Sequence, residues 1–418
     1  TLKILAVTLR YPPYTAGGYE MLTRDGVDGL RERGHEVIVL CGGAADLEEG
    51  PELLPWLEPK LDSADDLFDL DRKADPRERL RLHFLRHSNL RATRTAIRDH
   101  SPDLVLYFNL GLVSLAPLLA ARLSLVPSLG YICDPWVENH WLREMADQPD
   151  KAGRRPFLRA LWKVLRRAAG LPPMLCASDW LRNRLVADGW GEWEVGVLPT
   201  GLAPSMDRLA AAGQPRAQVQ GRPLRIICTS MLWGGKGQDV LVEAFIAARR
   251  EGLDAELILA GRESSGGEFL KHLKWLAHEA GVTDLIQYPG MLPQEELSAL
   301  LFDSDIFVLP SIWGEPFGLA TIEAMAHGIC PVVSDSGASS ELVGEAGIVV
   351  PTRGVEELTR VLLELSGDPE RRAALGAAAR KRAFERFGRE VFVERLEDAA
   401  HAAVARRSPV DHGEEAHR

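Results

Sequence analysis

The sequence has 418 residues, of which 46% are hydrophobic, 26% charged and 7% aromatic. That balance excludes a disordered chain, a collagen and a coiled coil, and at ~150 residues per domain it predicts two domains. With 49 Lys and Arg against 60 Asp and Glu, the net charge is −11, which disfavours nonspecific binding of nucleic acid.

In chain order, Lys3–Thr8 is a predicted strand, followed by a Pro/Gly loop, a helix from Gly18 to Arg33 and a strand over Glu36–Cys41. Leu104–Phe108, Ser128–Cys133, Met174–Ala177 and Val195–Leu198 are further strands. All are apolar throughout instead of alternating, the pattern of parallel strands covered by helices on both faces. A second set, Leu224–Thr229, Glu256–Ala260, Ile286–Tyr288, Ile306–Leu309, Pro331–Ser334 and Gly347–Val350, follows a soft stretch over 203–222. The expected organisation is therefore α/β. Two Rossmann-like, doubly wound domains (1–203 and 204–380) face a central cleft, and a helical tail occupies 381–418. Ligands of such sheets bind at the carboxyl edges of the strands.

Five cysteines, Cys41, Cys133, Cys176, Cys228 and Cys330, stand far apart with no C-x-x-C spacing and are expected as reduced core side chains. Leu2–Thr8 is short for the apolar core of a signal peptide, and no apolar run reaches ~18 residues, so the expectation is a cytoplasmic protein without a membrane span. Two segments are basic. Arg72–Arg98 carries eight arginines, and Lys151–Arg167 sets Arg155, Arg159, Lys163 and Arg166 opposite Phe157, Leu161, Trp162 and Leu165. Either is an ordinary amphipathic surface with snorkelling Arg stems, or a weak contact with anionic lipid, for which the helix over 151–167 is the candidate.

Three loops carry residues suited to chemistry. Pro12–Glu20 places Gly17 and Gly18 at a helix start, where backbone can approach a ligand closely. Ser230–Gln238 places Lys236 between glycines at the edge of the second sheet, where a cation suits a diphosphate. Gly314–Gly328 places Glu315 before a helix over Leu319–His327 and Glu323 inside it, eight positions later. A helix N-terminus flanked by two carboxylates can hold phosphate through N–H groups and sugar hydroxyls through carboxylate oxygens.

Glu315-Pro-Phe-Gly-Leu and Glu323-Ala-Met-Ala resemble the E-x7-E signature of retaining glycosyltransferases of the GT-B fold, family GT4 (group 1). The likeness extends to Gly17-Gly18, Leu198-Pro-Thr-Gly201, Lys236-Gly237-Gln-Asp239, Asp305–Ser311, Pro331–Ser334 and the tail, which in that family crosses back onto the first domain. The resemblance implies metal-independent transfer, with no cofactor, from a nucleoside-diphosphate sugar to an acceptor nucleophile on a small metabolite, a polysaccharide or a lipid-linked sugar. Glu323 would hold ribose hydroxyls, and Glu315 hydroxyls of the donor sugar. Phe317, Gly318 and Leu319 would present amides to sugar and phosphate. Lys236 would meet the diphosphate under Gly17 and Gly18, and Gly290 and Met291 would flank the base.

The chain departs from the family pattern at three places. Met231 replaces a clamp Arg, with Arg262 as a substitute; Asp134 or Cys133 stands where a His is common near the reacting centre; and Thr200 and Ala203 replace the usual Asn and Asp. Tyr14, Asn109, Asp134 and Trp136 are the acceptor candidates, and Glu315, Lys236 and Asp134 the catalytic ones. Asp303-Ser-Asp305 looks like a D-x-D metal motif, but it precedes a strand and is read as structural. The competing functions are a noncatalytic nucleotide-sugar-binding protein, an epimerase and a phosphorylase of the same fold. A dehydrogenase is disfavoured, since neither first-strand loop carries G-x-G-x-x-G.

Overall fold

The computed structural model of the chain describes residues 1–13, 18–42, 47–59, 76–83, 85–134, 164, 171–187, 195–206, 222–263 and 266–406. Tyr14, Gly17, Trp136 and, apart from Val164, the basic segment over 151–167 lie outside the described residues. The chain forms two compact units, one of Thr1–Ala177, Arg182–Leu198 and the chain from Phe392, the other of Ser178–Leu181 and Pro199–Val391.

The first unit contains β1 (Lys3–Thr8), α1 (Gly18–Glu32), β2 (Glu36–Cys41), β3 (Leu53–Leu54), α2 (Pro76–His83), α3 (His87–His100), β4 (Leu104–Tyr107), α4 (Ala116–Leu123), β5 (Ser128–Ile132), β6 (Met174–Cys176), most of α5 (Asp179–Ala187) and β7 (Val195–Val197). Its seven strands are ordered β3-β2-β1-β4-β5-β6-β7, and the pairs are parallel. The period of two along β1 explains its unbroken apolar sequence. Ile4 and Ala6 enter a core with Leu22, Val27 and Leu30 of α1, while Leu5 and Val7 enter a core with Ala96, Ile97, Leu118 and Ala121 of α3 and α4. The two-residue β3 is too short to leave a periodic signal and was not expected from the sequence.

The second unit runs β8 (Leu224–Thr229), α6 (Gln238–Arg250), β9 (Ala255–Ala260), α7 (Glu268–Glu279), β10 (Ile286–Gly290), α8 (Gln294–Phe302), β11 (Ile306–Leu309), α9 (Leu319–Ala326), β12 (Cys330–Ser334), α10 (Ser339–Val343), β13 (Ile348–Val350), α11 (Val355–Gly367) and α12 (Pro369–Phe387). Its six strands are ordered β10-β9-β8-β11-β12-β13, again parallel. The order therefore reverses between β8 and β11, and a ligand crevice is expected beyond their carboxyl ends.

The last helix, α13 (Arg389–Ala405), follows α12 and leaves the second unit. Its Phe392, Val393, Leu396 and Ala400 are buried in the same core as Ile4, Ala6 and α1. The Glu397 carboxylate accepts from Arg33 at 2.9 Å and pairs with His35 Nε2 at 2.9 Å, fixing the helix at the start of β2. His35 Nδ1 accepts the Leu2 amide at 3.0 Å, so Nε2 carries the proton and donates to Glu397.

All five cysteines are free, and four of them are buried. Asp303 pairs with Arg225, and Asp305 accepts from Arg222 and from the Arg225 amide, each at 2.8 Å. These carboxylates brace the amino ends of β8 and β11, opposite the edge that carries the functional loops. Among the described residues no helix is long and apolar enough to cross a membrane.

Candidate active site

Two loops leave adjacent strands at the reversal of the second sheet, one after β8 and one after β11. They are welded through the carbonyl of Gly235, which accepts from the amides of Ile312 at 2.8 Å and Trp313 at 2.9 Å and from the Ser311 hydroxyl at 3.3 Å. Gly237 is a glycine for a steric reason. Its φ is +69°, and a Cβ there would stand 2.1 Å from the Pro310 carbonyl oxygen. Gln238, fully buried, donates to Ser230 Oγ at 2.8 Å and to the Met231 carbonyl at 2.9 Å, which holds the start of the first loop against α6.

That weld brings the two sequence-predicted charges together. Lys236 Nζ lies 2.5 Å from Glu315 Oε1, and the same oxygen accepts the Ser311 hydroxyl at 2.7 Å. Glu315 is 4% exposed, so its charge is stabilised by this ammonium and this hydroxyl and little by water. The loop carrying Glu315 is fixed from behind, where the Ala338 amide donates to the Glu315 carbonyl at 2.7 Å.

Two helix N-termini open onto these loops, and neither has a side-chain cap. They are α6 after Gly237 and α9 after Gly318, whose φ is +113°. The first intrahelical bond of α9 is donated by Thr321 to Gly318, so the amides of Leu319 and Ala320 precede the ladder and remain for another acceptor. The Phe317 side chain is 3% exposed and packs edge-on against Phe387 at 5.8 Å, which leaves its backbone as the group it can offer a ligand.

Glu323 lies one turn into α9, mostly buried, and burial pushes its carboxyl up to about 7. No side chain of the described residues hydrogen-bonds to that carboxylate. Its carbonyl instead accepts His327 Nδ1 at 2.7 Å, while His327 Nε2 accepts the Ser298 hydroxyl at 2.8 Å. This assignment makes His327 neutral, in keeping with the downward push of burial on its pKa.

Of the remaining predicted positions in the second unit, Arg262 follows β9 and Gly290 ends β10, at the carboxyl edge of the same sheet. The Arg262 carbonyl accepts the Leu232 amide at 2.9 Å, so the loop carrying Arg262 runs beside the one in which Met231 stands. Gly290, at the end of β10 with φ of +76°, accepts the Gly261 amide at 2.9 Å, and Met291 beyond it is 77% exposed. The Tyr288 phenol is raised to about 12 by burial, and its hydroxyl is buried without a partner.

In the first unit Asn109 and Asp134 follow β4 and β5, and Gly18 is the exposed first residue of α1. Asn109 Oδ1 accepts the Gly111 amide at 2.8 Å, which spends one acceptor on shaping its own loop. Sequence reasoning missed Tyr19, whose hydroxyl donates to the carbonyls of Tyr131 at 2.9 Å and Phe108 at 3.2 Å and accepts the Cys133 amide at 3.2 Å. It ties the ends of β4 and β5 to α1. The only signal was an aromatic with a polar tip directly after Gly18.

A family model described as "Glycosyl transferases group 1" matches residues 216–382, and one described as "Glycosyltransferase Family 4" matches 16–205. A GDP-mannose-dependent alpha-(1-6)-phosphatidylinositol monomannoside mannosyltransferase of Mycobacterium tuberculosis is 31% identical over 232 residues, 52% of this chain and 59% of the relative. An MMP alpha-(1->4)-mannosyltransferase of Mycolicibacterium hassiacum is 30% identical over 262 residues, 60% of each chain. The chain thus spans somewhat over half the length of these curated relatives. Sucrose-phosphate synthase from Thermosynechococcus elongatus superimposes with a TM-score of 0.68 at 18% identity, covering 97% of this chain and 100% of that one. Anabaena Alr3699/HepE in complex with UDP gives 0.67 at 18% identity, with 96% and 100% covered. At these identities the structural matches speak for the fold, two Rossmann-like domains of the GT-B type.

Proposed function

The chain belongs to the group 1 glycosyltransferases, and we propose that it moves a sugar from a nucleoside diphosphate to an acceptor hydroxyl with retention of configuration and without a metal. The observation that carries this reading is the Lys236–Glu315 pair lying between the uncapped starts of α6 and α9. A diphosphate there meets one ammonium and two sets of free amides, the fixed positive groups that a departing phosphate requires. Glu323 offers an unshared carboxylate to a ribose diol, and Glu315 a pre-aimed acceptor to sugar hydroxyls.

In this reaction the bond from the anomeric carbon to the β-phosphate oxygen breaks, and a bond to the acceptor oxygen forms on the same face. The acceptor proton passes to the departing diphosphate, so no separate protein base is required. The printed names of the mannosyltransferase relatives make GDP-mannose the first donor to try.

The test is calorimetric titration of GDP, UDP, ADP and TDP with EDTA present, on the wild type and on Glu323→Ala. One nucleotide binding tightly and weakened by the substitution supports the reading; no nucleotide binding at all defeats it. Met231, in place of a clamp Arg, favours a second reading, a protein that binds the nucleotide sugar without turnover. Binding without any transfer or donor hydrolysis would select it.

A further inference from the structure

We propose that Ser311 is a positioning residue for the donor sugar: its hydroxyl holds Glu315 Oε1, so that Oε2 is the oxygen that meets a sugar hydroxyl. The inference rests on the donor-site reading above and adds to it a residue that touches no ligand itself. Ser311 follows β11 and Ser334 ends β12, and both are buried, at 0% and 1% exposed. The Ser334 hydroxyl donates to the Ser311 carbonyl at 2.6 Å, which pins Ser311 from the neighbouring strand. The Ser311 hydroxyl has one proton and two acceptors within reach, Glu315 Oε1 at 2.7 Å and the Gly235 carbonyl at 3.3 Å. That carbonyl already accepts two amides, and a bond to an ionised carboxylate is the stronger one, so the proton goes to Glu315.

Lys236 Nζ meets the same oxygen at 2.5 Å, whereas Oε2 has no partner among the described residues. This division does not come from the glutamate itself. The terminal torsion of a Glu side chain is broad and two-fold, so its oxygens exchange places at little cost. Nor does the ammonium enforce it, because a lysine is a point charge with three rotatable donors on a flexible stem and follows either oxygen. A hydroxyl on a clamped backbone has a fixed direction. The Ser311 backbone is clamped on one side by Ser334 and on the other by the bonds of Ile312 and Trp313 to Gly235. Oε2 therefore meets the sugar with its acceptor capacity unspent. A donor lacking the matching hydroxyl leaves that oxygen unpaired on a buried side chain, the arrangement that rejects an analogue most strongly.

The test takes the nucleoside diphosphate that the full chain binds among GDP, UDP, ADP and TDP. It is titrated alone, as its hexose conjugate (GDP-mannose for GDP, the glucose conjugate for the others) and as analogues of that conjugate lacking one ring hydroxyl each. In the wild type one analogue should bind about tenfold or more weakly than its parent. In Ser311→Ala that ratio should fall to about threefold or less, while the Kd of the nucleoside diphosphate alone stays within about twofold. Ser311→Cys, which keeps the shape but donates poorly, should behave as Ser311→Ala, and Ser311→Thr should restore the ratio. Each variant is checked for wild-type thermal unfolding. Ser334→Ala, which keeps the Ser311 hydroxyl but unpins it, should lose part of the ratio and serves if Ser311→Ala does not fold. A Ser311→Ala protein with the wild-type ratio, or a wild type that binds every analogue equally, overturns the proposal and leaves the nucleotide site standing. So does an equal loss of affinity for the nucleoside diphosphate and its conjugate, which would mark Ser311 as a structural residue of the loop. A wild type that binds none of the four nucleotides defeats the donor-site reading itself, and this inference with it.

Discussion

Lys236 and Glu315, 79 positions apart in sequence, share a contact of 2.5 Å in which, among the described residues, the lysine is the only cation on a carboxylate 4% exposed. On the proposed donor reading, a diphosphate at Lys236 shares the ammonium with Glu315. Lys236→Ala should raise the Kd for a nucleoside diphosphate about tenfold or more while changing that for the monophosphate little. It should also lower stability by roughly 3 kcal/mol by leaving a buried carboxylate without its cation, read by denaturant titration. Equal losses for the two nucleotides would remove Lys236 from the diphosphate site.

Glu323 gives a pH dependence with a definite sign. Its carboxyl is raised by burial to about 7, so it is largely protonated at pH 6 and ionised at pH 8. An ionised carboxylate accepts both hydroxyls of a ribose, so nucleotide affinity should rise between these values and then level off. The folded state holds this proton more tightly than the unfolded chain does. The group's contribution to stability is therefore largest below its unfolded pKa and declines as pH rises through about 7. Glu323→Gln should abolish the pH dependence of binding and, above pH 7, stabilise the fold by roughly 1–3 kcal/mol. A Glu323→Gln protein with unchanged nucleotide affinity would exclude the ribose contact.

The Glu315 loop is also held by the turn ahead of α5. Ser178 donates to the Pro316 carbonyl, and Glu341 of α10 accepts the amides of Asp179 at 3.1 Å and Trp180 at 3.3 Å. The Trp180 ring fills the space beside Gly314, where a Cβ would come within 2.6 Å of it. Gly314→Ala should destabilise by roughly 1–3 kcal/mol, and Trp180→Leu in the same chain should recover part of that loss. Glu341→Ala should lower kcat more than it raises the nucleotide Kd, because it loosens the loop and leaves Lys236 and α9 in place.

Leu396 is fully buried in the first unit's core, so Leu396→Ala should cost about 2–5 kcal/mol. The effect should appear in the unfolding of that unit, followed by hydrogen exchange in β1 and α1. Nucleotide binding by the second unit should be retained.

Apart from the two-residue β3, the strands of both sheets were legible because buried parallel strands are written as short, unbroken apolar runs, and Lys3–Thr8, Leu224–Thr229 and Ile306–Leu309 appear at the ends predicted. Glu315 and Glu323 stood out through their resemblance to the E-x7-E signature and Lys236 as a lysine between glycines at a sheet edge, and the structure brings Lys236 and Glu315 into contact. Their other partners did not stand out. Ser311, Gly235 and Gln238 act through a hydroxyl, a carbonyl and an amide that any loop contains, and only the weld of two distant loops gives them a role. Tyr19 and Glu341 are of the same kind, with bonds that cross 112 and 162 positions to groups of the main chain, which carry no sequence signature.

The docking of α13 has a consequence for how the molecule is made. His35 is emitted from the ribosome early and meets Glu397 362 positions later, and the core that holds Ile4 and Leu30 also needs Val393 and Leu396. At roughly 5–20 residues per second, that interval amounts to about 20–70 seconds of translation. Throughout it the part of α1 around Gly26 and Gly29, against which Leu396 and Val393 pack, waits for its partner, while the second unit is built almost wholly from the stretch 199–391. The half of the chain synthesised first is thus the half completed last, and a ribosome stalled short of α13 would present an open core to the chaperones around it.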